Sequence, residues 1–532
     1  MKGIELHNFR RFEELPFLEF GKITFLVGSN SSGKSSVSKA IAFLINNILS
    51  MTYPSSPFLV WEKFDFSNNV CPGLNIVDFK RTLSKYSADD TISIGLMINN
   101  IYLRFDIIED SQNSQSGLIS RIQITNPKVN FVIYPQRKKC RIEFNDSMHA
   151  YPIEALSVIN DNMDERRQCK EYGEFDNPAC GYDFFHYEDV MEEMNGEKCD
   201  LPQYSDFCEI SDSDIPYGLT VPINYCHWLS EIIHMFADKR ADKRIRGVWN
   251  RNARMSPDDA ERVNYYESLH QLAHEVDLEI RSCQLIYMPM ELLLPAPSYK
   301  NSEFASILCE VGESQFKKVD QATYAFICHW LREFNIGSDY KINKIYENTD
   351  ECQLLIKDKE TGQWFDSTQI GRGALQIISI LLRIVLIYIR YSISIDECYK
   401  KAKDNTWFAP DLKELPPLPT LIIEEPEICL HPCAQSKLAE MMRYAHKQFS
   451  IKFIVETHSE YMIRCTQVLV AKDYPDEHLI RDNPFKVYYF PSDGIPYDME
   501  YRPNGRFEKP FGKGFFDEAT KWNDQLIWGI TQ

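Results

Sequence analysis

The sequence predicts an α/β fold in which a strand, loop and helix core carries an antiparallel β lobe and is split by a mostly helical insertion. Three observations lead there. The apolar run Ile23 to Val27 ends in Gly28-Ser29-Asn30-Ser31-Ser32-Gly33-Lys34-Ser35, and Val37 to Leu49 follows with the pattern of an amphipathic helix. Ile92, Ile94, Leu96 and Ile98 then alternate with polar residues, as do Ile101, Leu103, Phe105 and Ile107, then Ile122 and Ile124, Phe131 and Ile133, and Ile142 and Phe144. Period two over several short runs is the mark of an antiparallel meander. From about Pro152 to Glu279 the composition changes, first to acidic and aromatic residues and then to a stretch of helical character.

The opening Met1 to Phe9 alternates in strand fashion, and Leu15 to Val27 leads into the glycine-bounded loop. That loop matches the phosphate-binding pattern of Gly, four residues, Gly, Lys, Ser or Thr, in its required place between strand and helix. Glycines let backbone N–H groups turn around a β-phosphate, and the new helix adds positive potential. Asn30, Ser31, Ser32, Gly33, Lys34, Ser35 and Ser36 are the expected binding residues, with Lys34 reaching the β- and γ-phosphates and the Ser35 hydroxyl ligating Mg²⁺. The pattern implies a nucleoside triphosphate.

Composition excludes several classes. The 532 residues are 44% hydrophobic, enough for a substantial core in two or three domains. A net charge of −19 argues against coating nucleic acid with the whole surface, so any such contact is local. Fifteen cysteines without a CxxC pair, and an N-terminus without an apolar signal segment, point to free thiols in the cytoplasm. Ala374 to Ile389 is apolar, but spans about 16 residues against the ~20 that cross a bilayer, and Gln376, Ser379 and Arg383 interrupt it. It is read as a buried core helix, and no membrane contact is expected.

The acidic stretch from Pro152 to Pro216 shows little periodicity and reads as an insertion. Asn224 to Glu279 looks largely helical, and within Lys239 to Arg254 seven basic residues face only Asp242. That block is either a solvated helix face or a local site for nucleic acid. Leu285 to Met288 reads as a strand and Phe316 to Phe334 as a helix stopped by Asn335 and Gly337. Tyr340 to Tyr346 and Gln353 to Lys357 are two further strands.

Leu421-Ile422-Ile423-Glu424-Glu425-Pro426-Glu427 is an apolar strand ending in acids, the form of a Walker B element. Glu424 is placed to hold Mg²⁺ through water, and Glu425 to polarise the attacking water. Phe453 to Val455 repeats the design and delivers His458, which can donate to or accept from a γ-phosphate or its attacking water. Cys429, His431 and Cys433 alternate, but three ligands at that spacing make a weak metal signal.

These motifs, in this order, resemble those of the ABC/SMC-type ATPase superfamily, in the branch of RecF, Rad50, the overcoming-lysogenization-defect (OLD) nucleases and related single-chain ATPases of bacterial antiphage defence. The resemblance rests on Asn8-Phe9-Arg10-Arg11-Phe12, the loop with its Asn30, Glu424-Glu425-Pro426-Glu427 followed by Leu430-His431-Pro432, and Glu456-Thr457-His458-Ser459-Glu460. The tail Pro510 to Glu518 adds to it. Leu-His-Pro in place of Leu-Asp is typical of the OLD-like branch. The resemblance implies an ABC/SMC-type ATPase head using ATP and Mg²⁺, with two heads sandwiching the nucleotide as a homodimer or higher homo-oligomer. It places the signature loop at Gly371-Arg372-Gly373-Ala374-Leu375-Gln376, with Gly373 presented to the nucleotide of the partner head, although the usual Ser-Gly pair is missing. A helix-capping glycine turn is the other reading of that loop.

The implied divisions are 1–151 and 285–475 for the two parts of the head, 152–284 for the insertion and 476–532 for the tail. A Toprim nuclease, as OLD proteins carry, needs a Glu and an Asp-x-Asp cluster, and the 74 residues after His458 offer Asp493 and Asp498 without one. Two function classes stay open. One is a defence ATPase resembling PtuA of the Septu system, including its retron-associated forms, or AriA of PARIS, acting as sensor or scaffold for a separate effector. That effector is expected to be a nuclease, of HNH type in the PtuA-like case. The other is a DNA-repair clamp of the RecF or Rad50 kind, with a nucleotide-regulated scaffold of little turnover as a third variant.

Overall fold

Strands that are apolar on both faces must be covered on both, and three of the five parallel strands of this chain are continuous buried runs of that kind. In the computed structural model, β3 (Ile23–Gly28), β16 (Thr420–Glu424) and β17 (Lys452–Thr457) are buried along their length apart from Lys452. With β12 (Leu285–Met288), β18 (Phe485–Phe490) and β19 (Tyr497–Asp498) they form a sheet in the order β12-β16-β17-β3-β18-β19. All neighbours are parallel except β18 and β19. The structure describes residues 1–50, 63–67, 73–87, 89–127, 129–136, 139–146, 154–155, 205–211, 233, 268–276, 279–280, 283–290, 293–316, 321–346, 349–404, 416–512 and 515–528. The basic block Lys239 to Arg254 lies outside them, as does most of the acidic stretch.

The chain forms two units, one of Met1–Gly3, Phe17–Ala42 and Ser282–Gln532 and the other of Ile4–Pro16 and Phe43–Arg281. In the first, the parallel sheet packs with α3 (Glu303–Phe316), α4 (Gln321–Glu333) and α5 (Arg372–Asp404) around one hydrophobic core. The run expected as a core helix is one: Leu375, Ile380, Leu381, Leu382, Ile384 and Ile387 of α5 are fully buried. Its first 25 residues would be apolar enough to cross a bilayer, yet most of that length is buried inside the protein. Arg383 is buried within it and donates to Glu303 at 2.9 Å and to Ser379, so the charge that interrupts the run is paired rather than stranded. A small antiparallel sheet, β13 (Asp339–Lys344), β14 (Cys352–Lys357) and β15 (Trp364–Asp366), adds to the same unit.

After β16 comes α6 (Pro432–Phe449), and after β17 comes α7 (Glu460–Asp473). Each begins with a side-chain cap, His431 accepting from the Cys433 N–H and Ser459 from the Met462 N–H. The C-terminal stretch packs on β18, where Phe511 and Phe515 lie 5.8 and 5.3 Å from the Tyr489 ring, before α8 (Glu518–Trp528).

The second unit holds the expected meander. β5 (Thr91–Ile98), β6 (Ile101–Glu109), β7 (Ser116–Thr125), β8 (Val129–Gln136) and β9 (Lys139–Asp146) pair antiparallel in sequence order. The alternating Ile92, Ile94, Leu96, Leu103, Phe105, Ile122, Ile124, Phe131 and Ile133 are all fully buried. β1 (Gly3–Phe9) and β2 (Phe12–Glu19) extend the sheet beyond β5, and β4 (Lys63–Asp65) pairs with β7. The α2 turn (Phe79–Thr82) and the last part of α1 (Lys34–Ser50) bring in Phe79, whose ring packs on Phe66, and Phe43, which packs on Phe64 and Phe66, while Phe64 packs in turn on Phe105.

The structure also holds elements that the sequence did not announce. The helix expected over Phe316 to Phe334 is present as α4 (Gln321–Glu333), with 317–320 outside the described residues, and a separate α3 that was not expected ends at Phe316 before it. The sequence reading missed α3 because its Gly312 and the prolines just upstream are helix breakers. The carbon of a side chain at Gly312 would stand 3.1 Å from Ile342, so close packing is what the glycine serves. Within the acidic stretch, β11 (Ser205–Ser211) pairs antiparallel with β9, and β10 (Glu154–Ala155) pairs with β11. The meander therefore continues past residue 151, and β9 is not left as a bare edge.

Candidate nucleotide site

Residues 29–33 join β3 to α1 at the carboxyl end of the central parallel strand, the position where open α/β sheets bind ligands. Gly28 has φ +153°, and a Cβ there would lie 2.2 Å from the Phe490 carbonyl oxygen of β18, so no other residue fits. Ser31 at φ +61° and Gly33 at φ +101° turn the loop back on itself, as a backbone anion nest requires. Asn30 and Ser31 stand exposed at its tip, while Ser32, Lys34 and Ser36 are buried and Gly33 and Ser35 are half-buried. The Ser36 N–H donates to Gly33 O at 3.0 Å.

Lys34 Nζ donates to the carbonyls of Gly28 and Ser29 at 3.0 and 2.8 Å. Burial pulls its pKa down, and the Glu456, Glu425 and Glu427 carboxylates push the other way. A cation held by loop carbonyls at this point can be handed to a phosphate without leaving the loop.

The acids come from two adjacent strands. Parallel pairing of β16 with β17 sets Glu424 directly beside Glu456, 7% and 2% exposed. Ser35 Oγ donates to Glu456 Oε2 at 2.6 Å, whereas the partners of Glu424 are Tyr287 OH, donating at 2.6 Å, the Met290 N–H at 3.4 Å and Lys39 Nζ at 3.8 Å. Burial, and then the neighbouring Glu424 charge, raise Glu456 to about 7. Glu425 has left the strand, with φ +46°, and its N–H donates to Glu456 O at 2.9 Å.

His458 follows β17. Its Nε2 lies 3.9 Å from Glu425 Oε1, and burial followed by the Lys34 charge lowers its pKa to about 4, so the ring is neutral at physiological pH. The backbone behind it is anchored by Glu427, whose Oε1 accepts from the His458 N–H at 2.6 Å and from Thr457 Oγ1 at 2.8 Å. Burial raises the Glu427 pKa against these bonds.

Gly373 is the second residue of α5, and a Cβ there would meet Cys429 O at 2.5 Å and Leu430 Cδ2 at 3.1 Å. Gly371 has open space around it. The start of α5 thus packs on the loop that follows the acids, at the glycine expected to face a nucleotide. His431 caps α6, and among the described residues no group of three or more His, Cys, Asp or Glu is arranged to hold a metal.

ATP and Mg²⁺ fit this constellation. Ser29 Oγ, Ser32 Oγ and Glu456 Oε1 are buried polar atoms without a protein partner, a costly arrangement unless something polar meets them. A hydroxyl and two acids with hard oxygen donors, beside a lysine in a helix N-terminus, suit a divalent cation bridging phosphates. From sequence, Ser35 and Glu424 were the expected metal ligands, while Glu427 and Glu456 stood within the motifs that carry the resemblance without an assigned role, and Tyr287 was not singled out. Glu456 opens the Glu456 to Glu460 motif, but its partnership with Ser35 and Glu424 comes from register.

A family model described as AAA ATPase domain matches residues 1–178 and 331–463, more than half of the chain. No curated protein matches it. Among solved structures, it is similar to an Smc head domain from Pyrococcus furiosus with an extended coiled coil, bound to the C-terminal domain of ScpA. The identity is 10% and the TM-score 0.31, over 99% of each chain. A SmcHead bound to the C-winged helix domain of ScpA shows 9% identity and a TM-score of 0.36 over 93% of this chain and 96% of that one. The SMC head domain from Thermotoga maritima shows 8% and 0.30 over 94% and 98%.

Proposed function

Because the chain belongs to the AAA ATPase domain family, we propose that it binds ATP with Mg²⁺, hydrolyses it, and closes as a dimer or higher homo-oligomer around the nucleotide. The observation that carries this reading is the Ser35 to Glu456 hydrogen bond beside Glu424. It joins the phosphate loop to two buried acids, a donor set that would hold Mg²⁺ beside a triphosphate. When bound, Mg²⁺ neutralises charge on the phosphate oxygens and orients them.

The chain's own residues do the rest. Lys34 would exchange its loop carbonyls for phosphate oxygens, and Ser35, Glu424 and Glu456 would hold the cation. Tyr287 and the Met290 N–H keep Glu424 oriented. Glu425 accepts a hydrogen bond from the attacking water and aligns it with the γ-phosphate. Neutral His458, 3.9 Å from Glu425, would donate to the γ-phosphate or its attacking water.

The cellular role we propose is that of a cytoplasmic sensor or scaffold in bacterial antiphage defence, loading a separate effector, a nuclease, of HNH type in the PtuA-like case. Support comes from the OLD-like Leu430-His431-Pro432 element after the acids. The basic stretch Lys239 to Arg254 is the proposed contact for nucleic acid. The test is to isolate the chain from its native host with ATP and identify what accompanies it, while measuring turnover and ATP-dependent mass. A co-purifying nuclease supports the role. Tight binding to DNA junctions with no effector favours a repair clamp instead, and an unchanged mass with ATP overturns closure.

A further inference from the structure

Two carboxylates follow Glu424 at the end of β16, and the ATPase reading uses only Glu425. The other, Glu427, is built into the protein more firmly. Both the His458 N–H and the Thr457 hydroxyl converge on its Oε1, at 2.6 and 2.8 Å, while its Oε2 is shut away from solvent without a partner. An orphaned buried carboxylate oxygen costs stability, and such groups persist where the rest of the side chain is needed in one place.

The bonds around Glu427 close on themselves. Thr457 Oγ1, which donates to Glu427, accepts from the Ser459 N–H at 2.9 Å. Ser459 Oγ donates to Gln435 Oε1 at 2.6 Å, and Gln435 Nε2 donates to Leu430 O at 3.0 Å. The Leu430 N–H returns to Glu427 O at 3.0 Å. The ring ties the loop after β16 to the loop after β17, and Gly373 of α5 rests on its Cys429–Leu430 corner. Only the Glu427 end touches the His458 backbone, so the position of the imidazole opposite Glu425 depends on that carboxylate.

We propose that Glu427 is a positioning residue for ATP hydrolysis, fixing the Thr457–His458 backbone so that the His458 ring stands against Glu425 and the γ-phosphate. The proposal rests on the ATPase reading. It needs Glu427 as an acceptor, not as a charge or a proton donor to the reaction, because a single oxygen takes both bonds. Glutamine keeps that oxygen and the shape of the side chain, and alanine removes it.

The experiment uses the full chain with ATP and Mg²⁺, in the variants Glu427→Gln, Glu427→Ala, His458→Ala and Glu427→Ala with His458→Ala. Glu427→Ala is expected to lower kcat about 10- to 100-fold, with KM for ATP changed less than about 3-fold. Glu427→Gln should stay within about 3-fold of the parent, and the double variant should be no slower than His458→Ala alone. Loss in the double variant equal to the product of the single losses overturns the proposal, as does a Glu427→Gln variant as slow as His458→Ala. Amide hydrogen exchange over residues 453–462 without nucleotide gives a readout independent of turnover. Protection should persist in Glu427→Gln and fall in Glu427→Ala, and equal protection in parent and Glu427→Ala overturns the proposal. Absent ATP binding or turnover in the parent chain would instead overturn the ATPase reading, leaving the exchange result to decide the role of Glu427.

Discussion

His458 Nε2 stands 3.9 Å from Glu425 Oε1, too far for a hydrogen bond and close enough for both groups to address one reacting oxygen. The ring is neutral because burial and Lys34 hold its pKa near 4. Turnover is therefore expected to show no limb from this histidine between pH 8 and about 5. His458→Ala should reduce kcat at every pH in that range by a similar factor, about 10- to 100-fold. The same shift bears on stability. With a folded pKa below the ordinary 6.5, the contribution is fully present above 6.5 and is lost as pH falls towards about 4. A kinetic limb near pH 6.5 that vanishes in His458→Ala would contradict the burial.

Lys34 and Glu425 separate binding from chemistry. Lys34→Ala should weaken ATP binding about 100-fold, since the loop loses the cation it holds ready for the phosphates. Glu425→Gln keeps shape and should retain binding while abolishing multiple turnover, trapping the ATP-bound assembly. Titration of a fluorescent ATP analogue and mass measurement with ATP check both. Normal binding by Lys34→Ala would refute the assignment.

Glu456 makes the nucleotide-free protein sensitive to alkali. Its folded pKa near 7 lies above the ordinary 4.5, so its contribution to stability is full below 4.5 and is lost as pH rises through about 7. Thermal unfolding should occur at lower temperature at pH 8 than at pH 6, and Mg²⁺ with ATP should stabilise more at pH 8. Glu456→Gln should flatten this dependence, raise the nucleotide-free melting temperature at pH 8 and weaken the Mg²⁺ requirement. An unchanged pH profile in Glu456→Gln would show that the carboxyl is not the source.

The two glycines at the start of α5 should behave differently. Gly373→Ala places a carbon 2.5 Å from the Cys429 carbonyl, a backbone atom that cannot swing aside, and should cost about 1–3 kcal/mol. Gly371→Ala meets nothing and should leave unfolding unchanged. If Gly371→Glu blocks ATP-dependent association in a stably folded protein, this turn faces a nucleotide. Equal melting temperatures for Gly373→Ala and the parent would show that the Cys429 contact gives way.

Much of this was legible in the sequence because it is local. The loop from Gly28 to Ser35, the alternation from Ile92 to Phe144 and the acids after Ile423 each announce themselves within a few residues. Glu456 did not, because its partnership with Ser35 and Glu424 depends on how two strands thirty residues apart are set in register. Tyr287 was silent, since a tyrosine in a short strand carries no pattern of its own, and Glu427, though part of the Glu424 to Glu427 motif, shows its role only through its bonds to Thr457 and His458. The Gly371 to Gln376 turn was found by position, but sequence could not say which glycine is packed and which is free. Helix α3 was hidden by Gly312, whose reason is a neighbouring isoleucine far along the chain.

The central strand β3 has both its neighbours far away in the chain, since Ile23 pairs with Phe453 on one side and Phe485 on the other. During synthesis the nucleotide loop emerges early, yet the strand that launches it stays unpaired on both edges for about 430 more residues. At ribosomal speed that is roughly 20–90 s in which an apolar, two-edged segment must be kept from pairing elsewhere. Acquisition of the binding site is thus a late event in the birth of the chain, and fragments ending before β17 should be clients of chaperones rather than binders of ATP.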